Sequence, residues 1–276
     1  MMTTEEAVLK LRDDPVYRER MEESYLGADL DLAAKKFADS EEFLEILRII
    51  GTKIKGATVL DMGAGTGIAS HAFIKSGAAK VYALEPDTSD LIGQGAINRL
   101  CAGMPVEIIS AFGENIPLPD RSVDVIYTRQ VLHHTTDLNA VLRECARILK
   151  PGGLFIACRE HVVDDENQLK QFLSQHPVHQ LAGGENAYRL DQYLGAIRGS
   201  NMKIVHVFRP WDSVINAFPL VRSEQERREF PSTALGKRFG AIGRFAAKIP
   251  PISTMLWRYL NRPNPGRLYS FVAQKV

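Results

Sequence analysis

The feature that most constrains this chain is a short apolar run, Thr58-Val59-Leu60-Asp61, that breaks into Met62-Gly63-Ala64-Gly65-Thr66-Gly67 and resumes as a helix-like stretch from Ile68. Glycines between a strand and a helix allow left-handed backbone and close approach to a ligand, and the helix that follows starts with unpaired N–H groups. The pattern repeats in Lys80–Glu85, Val106–Ile109, Val123–Tyr127 and Leu154–Ala157, each followed by a stretch of helical character. Strands alternating with helices predict right-handed crossovers and a parallel sheet covered on both faces. Lys203–Phe208 and Leu268–Ala273 read as two further strands, separated by a long insertion.

The chain has 276 residues, 45% hydrophobic and 24% charged, the balance of a folded globular protein rather than a disordered one. One large core with additions is the simplest reading of that length. The acidic start, Met1-Met2-Thr3-Thr4-Glu5-Glu6, has no basic-then-apolar pattern, so neither a secretory signal nor a transit peptide is expected. Cys101, Cys145 and Cys158 stand apart from one another and read as reduced core thiols of a cytoplasmic protein. A net charge of +1 gives no reason to expect nucleic acid as a partner.

The glycines follow G-x-G-x-G after an acid, whereas a dinucleotide site favours G-x-G-x-x-G. Asp61 sits badly beside a pyrophosphate but well near a cofactor bearing a sulfonium and an ammonium group, directly or through water. Glu85 ends the next strand, where an acid can accept both ribose hydroxyls of an adenosine. The alternative for both acids is loop capping.

With those residues in view, Val59-Leu60-Asp61-Met62-Gly63-Ala64-Gly65-Thr66-Gly67 resembles motif I of the class I S-adenosylmethionine-dependent methyltransferases. Ala83-Leu84-Glu85-Pro86-Asp87 resembles the ribose-binding strand end, Glu114-Asn115-Ile116-Pro117-Leu118 the adenine-side loop, and Arg147-Ile148-Leu149-Lys150-Pro151-Gly152-Gly153 the turn before the fifth strand. The resemblance spans about residues 56–160 and is similar to the methyltransferase type 11 subgroup. It implies an α/β, Rossmann-like, seven-stranded and mostly parallel sheet with helices on both faces, and S-adenosyl-L-methionine as cofactor. The cofactor residues it implies are Asp61, Gly63, Ala64, Gly65, Gly67, Glu85, Pro86, Phe112, Gly113, Glu114 and Thr128. One departure is Phe112, which stands where the family often has an acid two residues before the loop Glu. It is expected either to pack on the adenine or to face the core.

Acceptor contacts should come from the segments after the fourth and fifth strands. Thr128-Arg129-Gln130-Val131-Leu132-His133-His134 lacks the N/D-P-P-Y/F run of nucleic-acid amino methylation, and no Pro-Cys pair suggests cytosine C5 chemistry. A small-molecule or glycan acceptor is therefore expected, and no nucleic acid. His161, His133 and His134 are the candidates for taking an acceptor proton, with His161 preferred because it follows a strand end among polar groups. Arg129, Glu160, His176, His179 and Glu185 are candidate acceptor-binding residues. His176-Pro177-Val178-His179 with Glu185 and Asp165 offers imidazole and carboxylate donors, but the spacing matches no ligand signature; the expectation is a hydrogen-bonding lid and no metal.

The organisation expected is an N-terminal helical cap over residues 1–55 and the Rossmann-like domain over 56–276, with a lid at 160–200 and a basic helical insertion at 212–266. Thr3-Thr4-Glu5-Glu6 offers a capping box, and Ser40 precedes Phe43, Leu44, Leu47 and Ile50 at helical spacing. From Lys237 to Arg267 there are seven basic residues and no Asp or Glu. Phe239, Ile242, Phe245, Ala246 and Ile249 recur at helical spacing there, and a second helix after Pro250-Pro251 presents Ile252, Met255, Leu256, Tyr259 and Leu260. Such a hairpin either packs its apolar face on the core or meets an anionic substrate or membrane surface through residues 237–262, which would place the protein at the inner face of a membrane.

Two functional classes remain: a methyltransferase acting on an oxygen or nitrogen of a small molecule or lipid-linked sugar, and a catalytically silent S-adenosylmethionine-binding regulator or scaffold. A nicotinamide-dependent dehydrogenase is disfavoured by the glycine spacing.

Overall fold

The structure, a computed structural model, describes residues 2–276. The N-terminal helices start where their caps dictate. In α1 (Thr4–Asp13) the Thr3 hydroxyl accepts from the Glu6 amide while the Glu6 carboxylate accepts from the Thr3 amide, closing the predicted capping box. After α2 (Arg18–Glu23) the chain breaks over 25–29, and Asp29 and Ser40 cap α3 (Leu30–Ala38) and α4 (Glu41–Ile50).

The sheet follows in the expected alternation: β1 (Thr58–Met62), α5 (Ile68–Lys75), β2 (Lys80–Leu84), α6 (Gln94–Leu100), β3 (Val106–Ile109), β4 (Val123–Arg129), α7 (Leu138–Ile148) and β5 (Leu149–Val163). Residues 166–199 contribute α8 (Glu166–Gln175), α9 (Pro177–Ala182), the two-residue strand β6 (Tyr188–Arg189) and α10 (Leu190–Gly199). Then come β7 (Met202–Phe208), α11 (Val214–Ala217), α12 (Glu224–Ala246), α13 (Pro250–Leu260) and β8 (Arg267–Lys275). The strand order is β3-β2-β1-β4-β5-β8-β7, with β6 paired to β5 off that path. β1 to β5 are parallel, and β8 runs antiparallel between β5 and β7. The order reverses between β1 and β4, and in such sheets ligands bind in the crevice beyond the strand ends at that switch.

Alternate residues of each strand feed two cores. Leu60 and Ile126 join Val141, Leu142 and Cys145 of α7 and Tyr193 and Ile197 of α10 on one face. Val59 and Val125 join Phe73 of α5 on the other, together with Phe37, Phe43, Ile46 and Ile50. Helices α3 and α4 therefore share the sheet's own core. All three cysteines are free and buried.

β5 is longer than the sequence suggests. Its register against β4 shifts at Val123/Val125, which absorbs the Lys150-Pro151-Gly152-Gly153 turn into the strand. A second irregularity against β8 falls between Ala157 and Glu160, where Arg159 takes a left-handed backbone (φ 61°). A bulge re-aims the side chains that follow it.

The basic insertion is helical but not continuous. Gly240 (φ 62°, ψ −143°) breaks α12 and leaves Phe239, before it, out of line with the later apolar positions. The apolar face does not pack on the sheet: Phe239, Ile242, Phe245, Met255 and Tyr259 are all more than half exposed. Among the described residues no helix is long and apolar enough to cross a membrane.

Candidate active site

A cavity of about 720 Å³ opens at the carboxyl ends of β1, β2 and β4, within the usual range for small-molecule sites. The loop after β1 forms its floor. Gly63, Gly65 and Gly67 all have left-handed φ (68°, 52° and 82°), and the amides of Gly63 and Ala64 donate to the Leu84 carbonyl, tying the turn to the end of β2. A Cβ on Gly63 would stand 2.4 Å from Val131 Cγ2, and one on Gly67 would stand 3.2 Å from Ile97, so two of the glycines serve packing as much as turning. At Gly65 a Cβ would meet only the Ile92 carbonyl oxygen, at 3.9 Å.

Of the residues expected to hold a cofactor, Gly63, Gly65, Glu85, Pro86, Phe112, Gly113 and Glu114 line this cavity. Glu85 accepts from the Gly65 amide at 2.7 Å and from the Asp87 amide at 2.9 Å, which fixes its carboxylate at the cavity edge; burial raises its pKa, with those two amides opposing the rise. Glu114 accepts from the backbone and hydroxyl of Thr136. Phe112 does not face the core. It is 69% exposed on the cavity rim, free to lie against a planar ring.

Asp61, Ala64, Gly67 and Thr128 lie behind the lining. Asp61 is buried and accepts from Ser70 Oγ at 2.6 Å; burial pushes its carboxyl up to about 7 against that hydrogen bond, and Glu85 nearby adds to the rise. Thr128 is fully buried, its hydroxyl without a partner. Sequence reasoning placed Gln130 only within the segment after the fourth strand and missed Thr135, Thr136 and Thr4, which also line the wall. Thr4 carries no local signal, because α1 reaches the cavity only through tertiary packing.

Among the described residues the cavity's charged lining is one-sided: Glu85, Asp87 and Glu114, with no Lys or Arg. Those acceptor carboxylates fit a cationic sulfonium and ammonium and suit a phosphate-rich cofactor poorly.

The acceptor candidates divide differently from the sequence expectation. Only His134 of the three histidines lines the cavity. His161 was expected just beyond a strand end; instead β5 continues past it, its ring is packed beside His133 and Phe172, and its Nδ1 lies 2.7 Å from the Gly266 carbonyl. Burial, with His133 alongside, pushes its pKa down to about 3. Arg129 turns away from the cavity and pairs with buried Glu42 of α4 (Nε–Oε1 2.7 Å). Glu160 is also fully buried; it accepts from the Val131 and His133 amides and lies 2.7 Å from His133 Nδ1.

Glu185 is brought in by the loop after α9. Its Oε2 lies 3.6 Å from His133 Nε2 and 3.7 Å from His134 Nε2, and its Oε1 lies 3.6 Å from His176 Nδ1. Burial disfavours charge on His133, but Glu160 and Glu185 outweigh it and push its pKa up to about 9. Asp165 stays outside the cluster, capping α8. His179 Nδ1 is buried without a hydrogen-bond partner.

Residues 60–157 match the family described as "Methyltransferase domain". A sterol 24-C-methyltransferase of Gibberella zeae is 28% identical over 161 residues, 57% of this chain and 42% of the relative. A ubiquinone biosynthesis O-methyltransferase of Rhizobium etli is 25% identical over 135 residues, 49% of this chain and 54% of the relative. The chain thus spans about half the length of these curated relatives. Among solved structures, a geranyl diphosphate methyltransferase in complex with SAM superposes with a TM-score of 0.60 at 15% identity, covering 90% of each chain, a likeness of fold.

Proposed function

We propose, from the premise that this chain belongs through residues 60–157 to the class I S-adenosylmethionine-dependent methyltransferases, that the protein moves a methyl group from S-adenosylmethionine to an oxygen or nitrogen of a small molecule or lipid-linked sugar. The observation that carries this is the switch-point cavity, lined by Gly63, Gly65, Glu85 and Glu114, with acids and, among the described residues, no Lys or Arg, and walled on its far side by Gln130 and His134. Glu85 accepts the ribose hydroxyls, Phe112 packs on the adenine, and Asp61 acts on the cofactor's positive end from behind the glycine loop. The cofactor supplies an electrophilic methyl on a sulfonium. The chain's own task is to hold the acceptor in line with that methyl and manage its proton. Incubation with methyl-labelled S-adenosylmethionine and fractionated extract is expected to place label in a small-molecule or glycolipid fraction, with S-adenosylhomocysteine released in step. Tight cofactor binding with no turnover in any fraction would instead favour the silent regulator.

The raised pKa of Asp61 makes cofactor binding pH-dependent. A carboxyl held near 7 in the fold and at 3.8 in its ordinary state makes the free protein less stable as pH rises between those values, because the folded state resists ionisation there. A cation bound nearby reverses that preference. Affinity should therefore rise with pH up to about 7, with a proton released on binding below that pH. Calorimetry in buffers of different ionisation enthalpy measures this release, and Asp61→Asn should remove it. Release that persists in Asp61→Asn would separate Asp61 from the cofactor.

We also propose that residues 237–262 meet the membrane that carries the acceptor. Phe239, Ile242, Phe245, Met255 and Tyr259 are exposed beside Lys237, Arg238, Arg244, Lys248 and Arg258, the composition of a helix that lies in an anionic interface. The protein should sediment with phosphatidylserine-containing vesicles at low salt and be released as salt is raised. Reversing Lys237, Arg238, Arg244 and Lys248 to Glu should abolish sedimentation. Wild-type protein left in the supernatant at low salt would end this reading.

A further inference from the structure

We infer that His133, His134 and Glu185 form a binding site for a divalent transition-metal ion such as Zn2+ at the acceptor end of the cavity, an inference that rests on the methyltransferase reading only for the ion's role. The three residues offer donor atoms that all lie within 4.8 Å of one another.

Hydrogen bonding fixes which atoms are offered. His134 Nδ1 faces the Gly184 carbonyl at 3.2 Å, and a carbonyl can only accept, so Nδ1 carries the proton and Nε2 presents a lone pair. His133 Nδ1 faces the Glu160 carboxylate at 2.7 Å, which places its proton there too. Both free Nε2 atoms converge on Glu185 Oε2, at 3.6 and 3.7 Å, and that buried oxygen has no hydrogen-bond partner. Three acceptors thus meet with no donor between them. Either an extra proton on His133 or an ion balances this set. The spacing favours the ion: 3.6 Å is too long for a hydrogen bond, whereas two ligands about 2.1 Å from a tetrahedral ion stand about 3.4 Å apart. A ligand histidine whose other nitrogen is held by a carboxylate is the usual support of such sites, and imidazole with carboxylate suits Zn2+ and its neighbours better than Mg2+. The left-handed Gly183 and Gly184 (φ 76° and 83°) carry the loop that delivers Glu185.

Three protein ligands leave an open position, and His134 sets it at the cavity wall. An acceptor hydroxyl bound there loses its proton to water more readily. Its oxygen lone pair then forms the bond to the methyl carbon as the carbon–sulfur bond breaks, and the electron pair of that bond goes to sulfur, leaving S-adenosylhomocysteine. The site therefore points to a hydroxyl acceptor.

The test uses full-length protein stripped with a chelator and titrated with Zn2+ by calorimetry and with Co2+ by visible absorption. One ion per chain and a ligand-field band of low coordination number are expected. His134→Ala and Glu185→Gln should weaken Zn2+ binding at least 100-fold, and Glu160→Gln by about 10–100-fold, the range for losing a supporting partner. His134 is half-exposed, so His134→Ala should keep its circular dichroism and unfolding midpoint, and S-adenosylmethionine binding measured on the same samples tests the cofactor site separately. No stoichiometric Zn2+ binding by the wild type, or unchanged affinity in His134→Ala and Glu185→Gln, overturns the site and leaves His133 as a protonated bridge between Glu160 and Glu185. Zn2+ binding by a protein that fails to bind S-adenosylmethionine would overturn the proposed function while leaving the site intact.

Discussion

Replacing Glu42 with Ala is expected to cost about 3–5 kcal/mol of folding stability, the range for breaking a buried ion pair by removing one partner. Glu42 is fully buried between the buried guanidinium of Arg159 and the largely buried one of Arg129, with Arg129 Nε at 2.7 Å, Arg159 Nε at 3.9 Å and the Tyr25 hydroxyl donating at 3.4 Å. Removing it strands two cations together. Arg159 keeps its bonds to the Ile215 and Phe218 carbonyls, but these leave its charge uncompensated. Arg129→Ala should cost less, because Arg159 and Tyr25 remain beside the carboxylate. For a chain of this size each kcal/mol moves the thermal midpoint by roughly 2–4 °C, so Glu42→Ala should fall by roughly 10 °C. Thermal and urea unfolding of both variants measure the order. A Glu42→Ala loss below about 1 kcal/mol, or a larger loss in Arg129→Ala, would mean that water reaches the cluster and relaxes it.

Gly63→Ala is expected to cost about 2–5 kcal/mol of folding stability and, by shifting the loop, to weaken S-adenosylmethionine binding, from two separable causes. The first is backbone: φ is 68°, and a left-handed residue with a Cβ costs about 1–2 kcal/mol. The second is packing. The new methyl would stand 2.4 Å from Val131 Cγ2, and overpacking of this kind costs about 1–3 kcal/mol. Val131 precedes His133 and His134 and its amide donates to Glu160, so the clash also displaces the histidines from Glu185. The double variant Gly63→Ala with Val131→Ala should recover the packing part alone. Thermal unfolding on the single and double variants reads both costs, and binding calorimetry on the same samples reads the effect on the cofactor. Wild-type affinity in Gly63→Ala would show that the loop has room to shift, and full recovery in the double variant would assign the whole effect to the clash.

These two sites mark the boundary of what a linear reading reaches. The glycine loop was legible because strand, turn and helix are consecutive, and a left-handed turn between a buried strand and a helix admits few residue types. The same holds for the strand positions, where apolar runs of fixed length alternate with helices, and for the Thr3–Glu6 capping box, which needs only neighbours in sequence. Glu42 gave no such signal. An acid in the first turn of an amphipathic helix ordinarily faces water, and only the docking of α4 on the sheet buries it against Arg129, a residue read as an acceptor contact. His161 shifted from candidate base to packed ring because β5 outruns its apolar stretch, held in the sheet by β8 from the far end of the chain. The apolar stripe of the basic insertion was visible in sequence, but its exposure was not, because periodicity states that a face exists and not what covers it. The cluster of His133, His134 and Glu185 has no ligand signature, since its donors come from two loops about fifty residues apart. The bulge at Arg159, the pairing of β6 with β5 and the two left-handed glycines at 183 and 184 bring those loops together. Local sequence thus determined where the strands of the sheet lie and the glycine loop, because each is a short-range consequence of hydrophobic period and backbone freedom, whereas the strand order that makes the switch point came from tertiary pairing. Which polar side chains meet at the far wall of the cavity was decided by long-range packing, because a charge or an imidazole takes its role from its neighbours in space.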